Sequence, residues 1–406
     1  MDSSFATNSA TIWGDVNDFS GPLKGVRVVD LSKVLAGPLC TQMLADQGAN
    51  IIKIEPPFGD ESRALAPPYY EGKDAAYFSA LNRGKRSITL DFRDKEDRKA
   101  LLILLENADV LIENYIPGTM EKWGLGYNES LKERFPKLIY CSISGFGDDG
   151  PLGKLPGYDA VLQAMCGLMS INGTPESGPT KIGIPIVDHL TAYTAFSGIL
   201  LALLHRNTTG ISQKVDATLF DTAISLLVPH AANWIYSGIV PQPLGSSHPN
   251  IAPYDSFKTK TNPVFLGILN NSQFHKLCEC IKREDLLANQ NYITNKDRVA
   301  HKADLTAEIQ SSFLAYTSDE LCDKLLKLNI PIAPIHTVDQ ILNHPHTQHR
   351  KMRISKDGYQ GLGSPIKLSE NHVTPIRKPP KFGEHNNTIK KQLQEIVRNR
   401  NIQSNT

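Results

Sequence analysis

Cysteine, aromatic residues and net charge are all scarce in this sequence. Its 406 residues include 6 cysteines, 7% aromatic residues and a formal net charge of only +1, from 43 lysines and arginines against 42 acids. The scattered cysteines exclude a disulfide framework and favour a reducing compartment. The charge balance provides no broad basic surface for nucleic acid or an anionic membrane. An anionic ligand would therefore be held by a few local basic groups.

The N-terminus lacks the features of a targeting segment. It carries Asp2, Asp15 and Asp18 and no basic residue before Lys24, whereas a mitochondrial presequence is arginine-rich and a secretory signal needs an apolar core. The longest apolar run, at 190–204, is shorter than the ~20 residues of a membrane span and predicts a buried core helix. We therefore expect a cytoplasmic protein with no membrane partner. A mitochondrial location stays open, although no presequence is evident.

Strands alternate with helices in the first half of the chain. The pattern predicts strands at 26–31, 51–55, 87–91, 110–113, 138–144 and 213–217, and helices at 38–47, 95–107 and 188–205. Such alternation is typical of an α/β fold, here a Rossmann-like large domain with a mostly parallel sheet. The predicted order is a polar leader (1–20), the large domain (21–225), a Pro/Gly/Ser-rich linker (226–245) and a smaller α/β domain (246–335).

The loop at 145–150 reads Gly-Phe-Gly-Asp-Asp-Gly, a literal G-x-G-x-x-G after a predicted strand. A dinucleotide site needs that loop to open a helix whose amides meet pyrophosphate. Pro151 and Pro156 follow too soon for a helix, and Asp148 with Asp149 would repel phosphate. We therefore predict a ligand-lining loop at the carboxyl end of a strand and no dinucleotide site.

Two groups of residues superficially suggest a metal site. Cys278 and Cys280 are close in sequence but lie on a predicted helix, where residues two apart face different ways. The histidines at 344–349 are interrupted by Pro345 and have no cysteine or acid among them. Neither pattern predicts a bound metal.

Asp188 stands at the predicted start of a long apolar helix. An aspartate there is typically an N-cap, because it accepts hydrogen bonds from the first free amides. The same position also suits a nucleophile, since helix-terminal amides favour the carboxylate and can stabilise a nearby tetrahedral intermediate. From the residue alone, both roles stay open.

Short motifs occur in a fixed order along almost the whole chain. They are Gly-Val-Arg-Val-Val-Asp-Leu at 25–31, Leu-Ala-Gly-Pro at 35–38, Gly-Asp-Glu-Ser-Arg at 59–63, Asn-Arg-Gly-Lys-Arg-Ser-Ile at 82–88, Glu-Asn-Tyr-Ile-Pro-Gly at 113–118 and Gly-Tyr-Asp-Ala at 157–160. Together they resemble the class III CoA-transferases, the family of formyl-CoA transferase. In the smaller module, Ile-Ala-Pro-Tyr at 251–254 and Phe-Lys-Thr-Lys at 257–260 are most similar to succinyl-CoA:glutarate CoA-transferases.

The resemblance implies an enzyme that moves CoA from an acyl-CoA, with succinyl-CoA as the implied donor, to a carboxylic or dicarboxylic acid such as glutarate. The family's nucleophile falls on Asp188, which would carry CoA as an aspartyl thioester. CoA thioesters are then substrates, with no metal and no permanently bound cofactor. An interlocked homodimer is also implied, in which 336–406 return to the large domain and end in a helix. The implied CoA contacts are Val34, Ala36, Leu90, Arg93, Asn114, Tyr115 and Lys122.

Some positions depart from formyl-CoA transferase. Leu35 replaces its glutamine beside the reacting carboxylate, and Phe146 replaces a tyrosine of the loop after a strand. Formyl or oxalyl specificity is therefore not implied, and a larger, partly apolar acyl group is. The family's glycine-rich flap is reduced to 267–271. The implied substrate-lining residues are Leu35, Phe146, His248, Gly267 and Asn270.

Two other functions remain open. An α-methylacyl-CoA racemase-like isomerase would have Gly-His-Asp where this chain has Gly157-Tyr158-Asp159. Tyrosine, with an ordinary pKa of about 10, is a poor base near neutrality. A CoA-binding protein without enzymatic activity would require Asp188 to be only a helix cap.

Overall fold

The computed structural model of the protein describes residues 11–371 and 377–404. Its strands are β1 (Arg27–Asp30), β2 (Asn50–Glu55), β3 (Tyr69–Tyr70), β4 (Asp74–Ala75), β5 (Lys85–Thr89), β6 (Val110–Glu113), β7 (Ile139–Ser144), β8 (Lys214–Thr218), β9 (Tyr254–Phe257), β10 (Val264–Gly267), β11 (Ile332–Pro334), β12 (Arg353–Lys356) and β13 (Tyr359–Leu362). Its helices are α1 (Ala36–Asp46), α2 (Ala76–Leu81), α3 (Lys95–Leu105), α4 (Thr119–Lys122), α5 (Lys132–Arg134), α6 (Asp159–Met165), α7 (Leu168–Ile171), α8 (Ile186–Thr209), α9 (Leu219–Ser225), α10 (His230–Ser237), α11 (Asn271–Cys280), α12 (Asp285–Ala288), α13 (Asn295–Ala300), α14 (Lys302–Phe313), α15 (Ser318–Lys327), α16 (Val338–Asn343), α17 (Pro345–His349) and α18 (Lys391–Ser404).

The chain divides into two compact units. Of the described residues, the first contains 11–166, 182–226, 349–371 and 377–404, and the second contains 167–181 and 227–348. Each unit has its own sheet and its own cluster of buried apolar side chains. The mixed α/β class predicted from the sequence is confirmed.

The first unit is built on a six-stranded sheet in the order β5-β2-β1-β6-β7-β8, with every pair parallel. All six residues of β2 and all six of β7 are buried, as expected for strands covered on both faces, and the buried residues include the polar Lys53, Glu55 and Ser142. Because β1 is flanked by β2 and β6, the chain after β1 emerges where the strand order reverses, the usual ligand-binding position of such sheets.

The first crossover helix, α1, begins at Ala36 and ends at Asp46, close to the predicted 38–47. Gly48 follows it with φ of +99°, and a Cβ there would come within 2.2 Å of the Ser20 carbonyl oxygen. Only glycine combines that backbone conformation with that close approach. The glycine therefore determines where α1 stops and β2 begins.

The C-terminal segment completes the first unit. His385 donates its backbone N–H to the carbonyl of Ser87 on the edge strand β5 at 2.9 Å. Beyond it, α18 packs on α3, where Arg400 forms an ion pair with Glu106 at 2.5 Å. Leu393 and Val397 are buried in the same core as the sheet. The two ends of the chain thus share one hydrophobic core.

The longest helix, α8, has 24 residues and by length and composition alone could cross a membrane. In this structure it packs on β8, where a Cβ on Gly198 would come within 2.6 Å of Val215. Its sheet-facing side chains are buried, but Leu201 and Leu204 are 65% and 62% exposed. The sequence predicted a buried core helix, and α8 is buried where it packs on α1 and β8 but exposed on its opposite face.

The second unit contains a three-stranded antiparallel sheet in the order β11-β10-β9, backed by α11, α14 and α15. The fully buried Arg298 joins its loops by donating to the carbonyls of Ala252 (2.8 Å) and Tyr292 (3.1 Å) and to Asn271 Oδ1 (3.0 Å). Its planar fork satisfies three acceptors at once, as a buried guanidinium requires.

Candidate active site

The carboxyl ends of the parallel strands place several predicted site residues along one edge of the sheet. Val34, Leu35 and Ala36 follow β1, and Asn114 and Tyr115 follow the neighbouring β6. Parallel strands all end at the same edge, so these two loops lie side by side. The Asn114 side chain joins them directly: its Oδ1 accepts the N–H of Lys33 and its Nδ2 donates to the Lys33 carbonyl, each at 2.8 Å.

The buried carboxylate of Glu113 fixes the conformation of the loop after β6. Glu113 Oε2 accepts the N–H of Tyr115 at 2.8 Å, and Oε1 accepts the Tyr140 hydroxyl at 3.2 Å. Burial raises the pKa of Glu113 to about 7. The Tyr115 ring packs edge-on against Trp123, 5.2 Å between centroids, and Trp123 directly follows the exposed Lys122 at the end of α4.

Leu90 and Arg93 lie at the end of β5, which β2 separates from β1 in the sheet. The Leu90 side chain is 2% exposed within the core, so only its backbone can meet a ligand. Arg93 is exposed and holds Asp91 through Nε and Nη2. A ligand phosphate at Arg93 would compete with this local pair.

The turn at Val34 is strained. Its φ is +66°, which is a genuine outlier for a β-branched residue and costs on the order of 1–3 kcal/mol. Such a conformation persists only where surrounding contacts impose it.

Asp188 lies in the first turn of α8, and a side chain from another helix caps that turn. Pro185 precedes α8 and provides no side-chain cap. Asp159 Oδ2, at the start of α6, accepts the backbone N–H groups of Val187 (2.8 Å) and Asp188 (3.1 Å). The alternative in which Asp188 itself caps the helix is therefore wrong, and its carboxylate is left for another role.

Asp159 is itself fixed by a side chain one turn further along α6. Gln163 Nε2 donates to Asp159 Oδ1 at 2.6 Å, while Gln163 Oε1 accepts the N–H of Ile182 at 2.9 Å. Burial and the neighbouring charge of Asp159 raise the pKa of Asp188 to about 7. A desolvated carboxylate that ionises near neutrality suits nucleophilic attack better than a solvated one.

Tyr77, in the first turn of α2, belongs to this environment and was not predicted as a site residue. Burial and the charges of Asp188, Asp159 and Asp60 raise the pKa of Tyr77 to about 12. The phenol therefore stays a neutral hydrogen-bond donor, within electrostatic range of Asp188 on one side and of the sheet edge on the other. No spacing signal in the sequence singles out Tyr77, because its role depends on three distant acids.

The loop after β7 has the form expected from its sequence. The next helix, α6, starts only at Asp159, so the G-x-G-x-x-G loop opens no helix. Phe146 packs on Phe220 of α9 with 5.9 Å between ring centroids and is half-buried. The aromatic pair gives this part of the edge an apolar surface.

The remaining predicted residues lie in the second unit. His248 packs edge-on against Tyr254, and its Nδ1 accepts the N–H of Asn250 at 3.0 Å. Gly267 ends β10, where a Cβ would be 3.0 Å from the Tyr254 ring, so the close approach of that ring favours glycine. Asn270 caps α11 by accepting the N–H of Gln273 at 2.9 Å, which commits its side-chain oxygen to the helix.

Within the two described ranges, no group of three or more histidine, cysteine, aspartate or glutamate side chains could hold a metal ion. The six cysteines are all unpaired thiols. Cys278 and Cys280 lie on α11, as the sequence pattern predicted. The chemistry that this site offers is therefore that of Asp188, its capping network and the sheet-edge loops.

Comparison with known proteins identifies close relatives. Residues 23–386 match the model of CoA-transferase family III. The chain is 38% identical over 395 residues to the succinate–glutarate CoA-transferase of Agrobacterium fabrum, covering 95% of this chain and 98% of that protein. It is 39% identical over 378 residues to the succinyl-CoA:mesaconate CoA-transferase of Haloarcula marismortui, covering 90% and 94%. A crystal structure of a CAIB/BAIF family protein from Brucella suis superposes with a TM-score of 0.83 at 39% identity, covering 92% of this chain and 100% of that one.

Proposed function

Because the chain belongs to CoA-transferase family III, we propose that it transfers CoA from succinyl-CoA to a dicarboxylic acid such as glutarate. Transfer of CoA between an acyl-CoA and a carboxylic acid is the activity of the family, and this chain is such an enzyme. The choice of a dicarboxylate is supported by the names of the similar enzymes, which act on glutarate and mesaconate. The apolar, half-buried Phe146 near the sheet edge fits an acyl group with methylene carbons, whereas the Leu35 side chain is buried and only its backbone can meet a ligand.

The proposed mechanism uses Asp188 as the nucleophile. Its carboxylate attacks the donor thioester carbonyl, and CoA thiolate leaves as a mixed anhydride forms. The thiolate then attacks the Asp188 carbonyl of that anhydride, which releases the donor acid and leaves an aspartyl-CoA thioester. The acceptor carboxylate attacks this thioester to give a second anhydride, and the thiolate finally attacks the acceptor's carbonyl, which regenerates Asp188. The covalent intermediates divide one difficult direct transfer into several steps of similar energy.

The observation that carries this proposal is the capping of α8 by Asp159 rather than by Asp188. It leaves a partly buried carboxylate with a raised pKa beside the first turn of a long helix. The α8 amides are already occupied, so Asp188 gains little stabilisation from the helix and remains reactive.

A CoA-exchange assay tests the function. The protein is mixed with succinyl-CoA and, separately, with glutarate, mesaconate, oxalate and acetate, and the CoA thioesters are read by mass spectrometry. We expect glutaryl-CoA or the CoA thioester of another dicarboxylic acid with a carbon chain between its carboxyl groups to accumulate, and more of it than oxalyl-CoA or acetyl-CoA. Failure to exchange with any acid would overturn the proposal, and a preference for oxalate or acetate would overturn the assignment to a longer dicarboxylate.

The racemase-like alternative receives no support from the site. Tyr158, which stands where a base would be needed, is 74% exposed, and its neighbour Asp159 is committed to the amides of α8. Removal and return of an α-proton needs a base held beside the substrate. Entry of deuterium at the α-carbon of a branched acyl-CoA would reveal this activity.

We also propose that the protein is a homodimer, as the family resemblance implies. The proposal is supported by exposed apolar side chains on α10, where Trp234, Ile235 and Tyr236 are 54%, 66% and 91% exposed. A contiguous exposed apolar patch usually marks an interface.

Charge placed within that patch tests the assembly. The double variant Ile235→Glu/Tyr236→Glu is expected to be monomeric by light scattering, whereas the unaltered protein is expected to have twice the chain mass. Val338→Glu, which alters a 74% exposed side chain outside α10, serves as the control and should stay dimeric. A monomeric unaltered protein would contradict the proposal.

A further inference from the structure

Val34 is the one β-branched residue with a positive φ in the described part of the chain. The other non-glycine residues with positive φ are Glu71, Lys154, Lys282, Asn329, Lys351 and Asp357. Val34 also differs from them in position, because it lies in the loop that follows the carboxyl end of the central strand β1. A valine there is unexpected, since glycine or asparagine would adopt the same backbone conformation without strain.

Two side chains from neighbouring loops hold this turn. Asp60, after β2, accepts the N–H of Val34 on its Oδ1 at 3.2 Å. Asn114, after β6, binds both the N–H and the carbonyl of Lys33 at 2.8 Å. The two strands that precede these loops flank β1 on either side. Side chains from both neighbouring loops therefore hold the turn by hydrogen bonds.

Asp60 is itself anchored by a buried charge. Lys53 Nζ lies 2.9 Å from Asp60 Oδ2, and both side chains are fully buried. Lys53 also donates to the Ser32 carbonyl at 2.6 Å, two residues before Val34. The N–H and hydroxyl of Ser62 bind Asp60 Oδ1 at 2.9 and 2.7 Å. Burial opposes ionisation of Asp60, but Lys53 and these hydrogen bonds outweigh it and hold the pKa of Asp60 well below its usual range.

The residues after Val34 have no room to compensate for a change in the turn. Leu35 and Ala36 are 3% and 4% exposed. A Cβ on Gly37 would come within 2.2 Å of the Ser32 Cβ, so the start of α1 lies tightly against the end of β1. Relaxation of Val34 to a negative φ would therefore redirect Leu35 and the first turn of α1.

We propose that Asp60, with its ion-pair partner Lys53, is a positioning residue that holds Val34 in the left-handed conformation and so directs the backbone of Leu35 and the first amides of α1 toward the acyl-CoA. Asn114 supports the same turn from the other side. The link to acyl-CoA rests on the proposed function, whereas the clamp on Val34 does not. Strain of this kind is typical of functional loops that are preorganised for a ligand.

A double-mutant cycle between Val34 and Asp60 tests whether Asp60 holds Val34 in the left-handed conformation. Asp60→Asn, Val34→Gly and the double variant are compared for KM of the acyl-CoA, for kcat and for the midpoint of unfolding in urea without substrate. Asp60→Asn alone is expected to raise KM about tenfold, a loss of about 1.4 kcal/mol in binding, with a smaller change in kcat. In the Val34→Gly background the same change should raise KM less than about twofold, because glycine needs no clamp.

A buried ion pair elsewhere on α1 provides the matched control. Asp46 pairs with Arg83 through Nε and Nη2, and both are nearly buried. Asp46→Asn should lower stability by the same amount with Val34 or with glycine at position 34. Equal effects of Asp60→Asn in the two backgrounds, in KM and in unfolding alike, would overturn the proposal.

A second variant covers the case in which Asp60→Asn does not fold. Val34→Asn in the otherwise unchanged protein is expected to raise the urea midpoint, because asparagine tolerates a positive φ. A lower midpoint would mean that Val34 stores no strain, and the proposal would fail. If the unaltered protein exchanges CoA with no acid, the proposed function fails, while the unfolding cycle still decides whether Asp60 holds Val34.

Discussion

Replacing Asp188 with asparagine is expected to abolish CoA transfer and, at the same time, to stabilise the folded protein at neutral pH. The loss of activity follows because an amide cannot form the mixed anhydride or the aspartyl thioester. Removal of a covalent nucleophile lowers kcat by about four orders of magnitude or more. Exchange is measured with the acyl-CoA and acid pair that gives the fastest rate in the unaltered enzyme.

The gain in stability follows from the raised pKa of Asp188. Its pKa is 3.8 in the unfolded chain and about 7 in the folded protein. Between these values the folded protein binds the proton more tightly, so ionising Asp188 costs a free energy that grows as pH rises and levels off above pH 7. D188N removes this cost, and we expect a gain on the order of 4 kcal/mol at pH 8 and less than about 1 kcal/mol at pH 4. Urea unfolding at the two pH values measures the difference.

Asp221 provides the control for the loss of activity. It is another aspartate in the first turn of a helix, α9, but its side chain is exposed. Asp221→Asn should retain CoA transfer. Hydroxylamine added during turnover should modify Asp188 in the unaltered enzyme and nothing in D188N. Transfer above about 1% in D188N would contradict the assignment of the nucleophile.

Replacing Asp159 with asparagine is expected to move the pH dependence of the enzyme to lower pH. Burial and the charge of Asp159 together hold the pKa of Asp188 at about 7. Removing the charge lowers this pKa, so the rise of kcat/KM with pH should begin about one unit lower. The same change disturbs the hydrogen bonds to Val187 and Asp188, and kcat should fall by about tenfold to a hundredfold through misplacement of the nucleophile.

The shift in the pH profile separates this role from a general loss of structure. A fold weakened by the substitution would lower kcat at every pH and leave the midpoint of the profile unchanged. Glu133→Gln, which removes an exposed acid from α5, should leave both kcat and the midpoint unchanged. A profile of the Asp159→Asn enzyme that coincides with that of the unaltered protein would contradict the proposed coupling.

The parts of the fold that were correctly predicted depend on local patterns. The strands β2, β6 and β7 lie within one residue of their predicted bounds, because each is a short segment rich in β-branched and other apolar residues bounded by turn-forming or polar residues. The prediction that no helix begins in the loop at 145–150 was confirmed, because proline restricts the backbone wherever it occurs. The predicted domain bounds, the cytoplasmic location and the roles of the site residues stay predictions.

The features that could not be predicted depend on distant residues. The exposed face of α8 looked buried because its composition is apolar, and only packing shows that one side meets the sheet. The segment 167–181 joins the second unit through contacts with residues beyond 227. Tyr77 and Gln163 acquired roles only when α2 and α6 were placed near α8.

Asp188 and Val34 show what the sequence determines and what only the tertiary structure determines. The sequence by itself determined the α/β class, the family resemblance and the candidacy of Asp188, because repeated strands and ordered motifs are local and survive without coordinates. Only the tertiary structure decided that Asp159 caps α8 in place of Asp188 and that Asp60 grips a strained Val34. Those contacts join residues 26 or more positions apart, and the free energy of such pairs depends on burial and distance, which no linear pattern records.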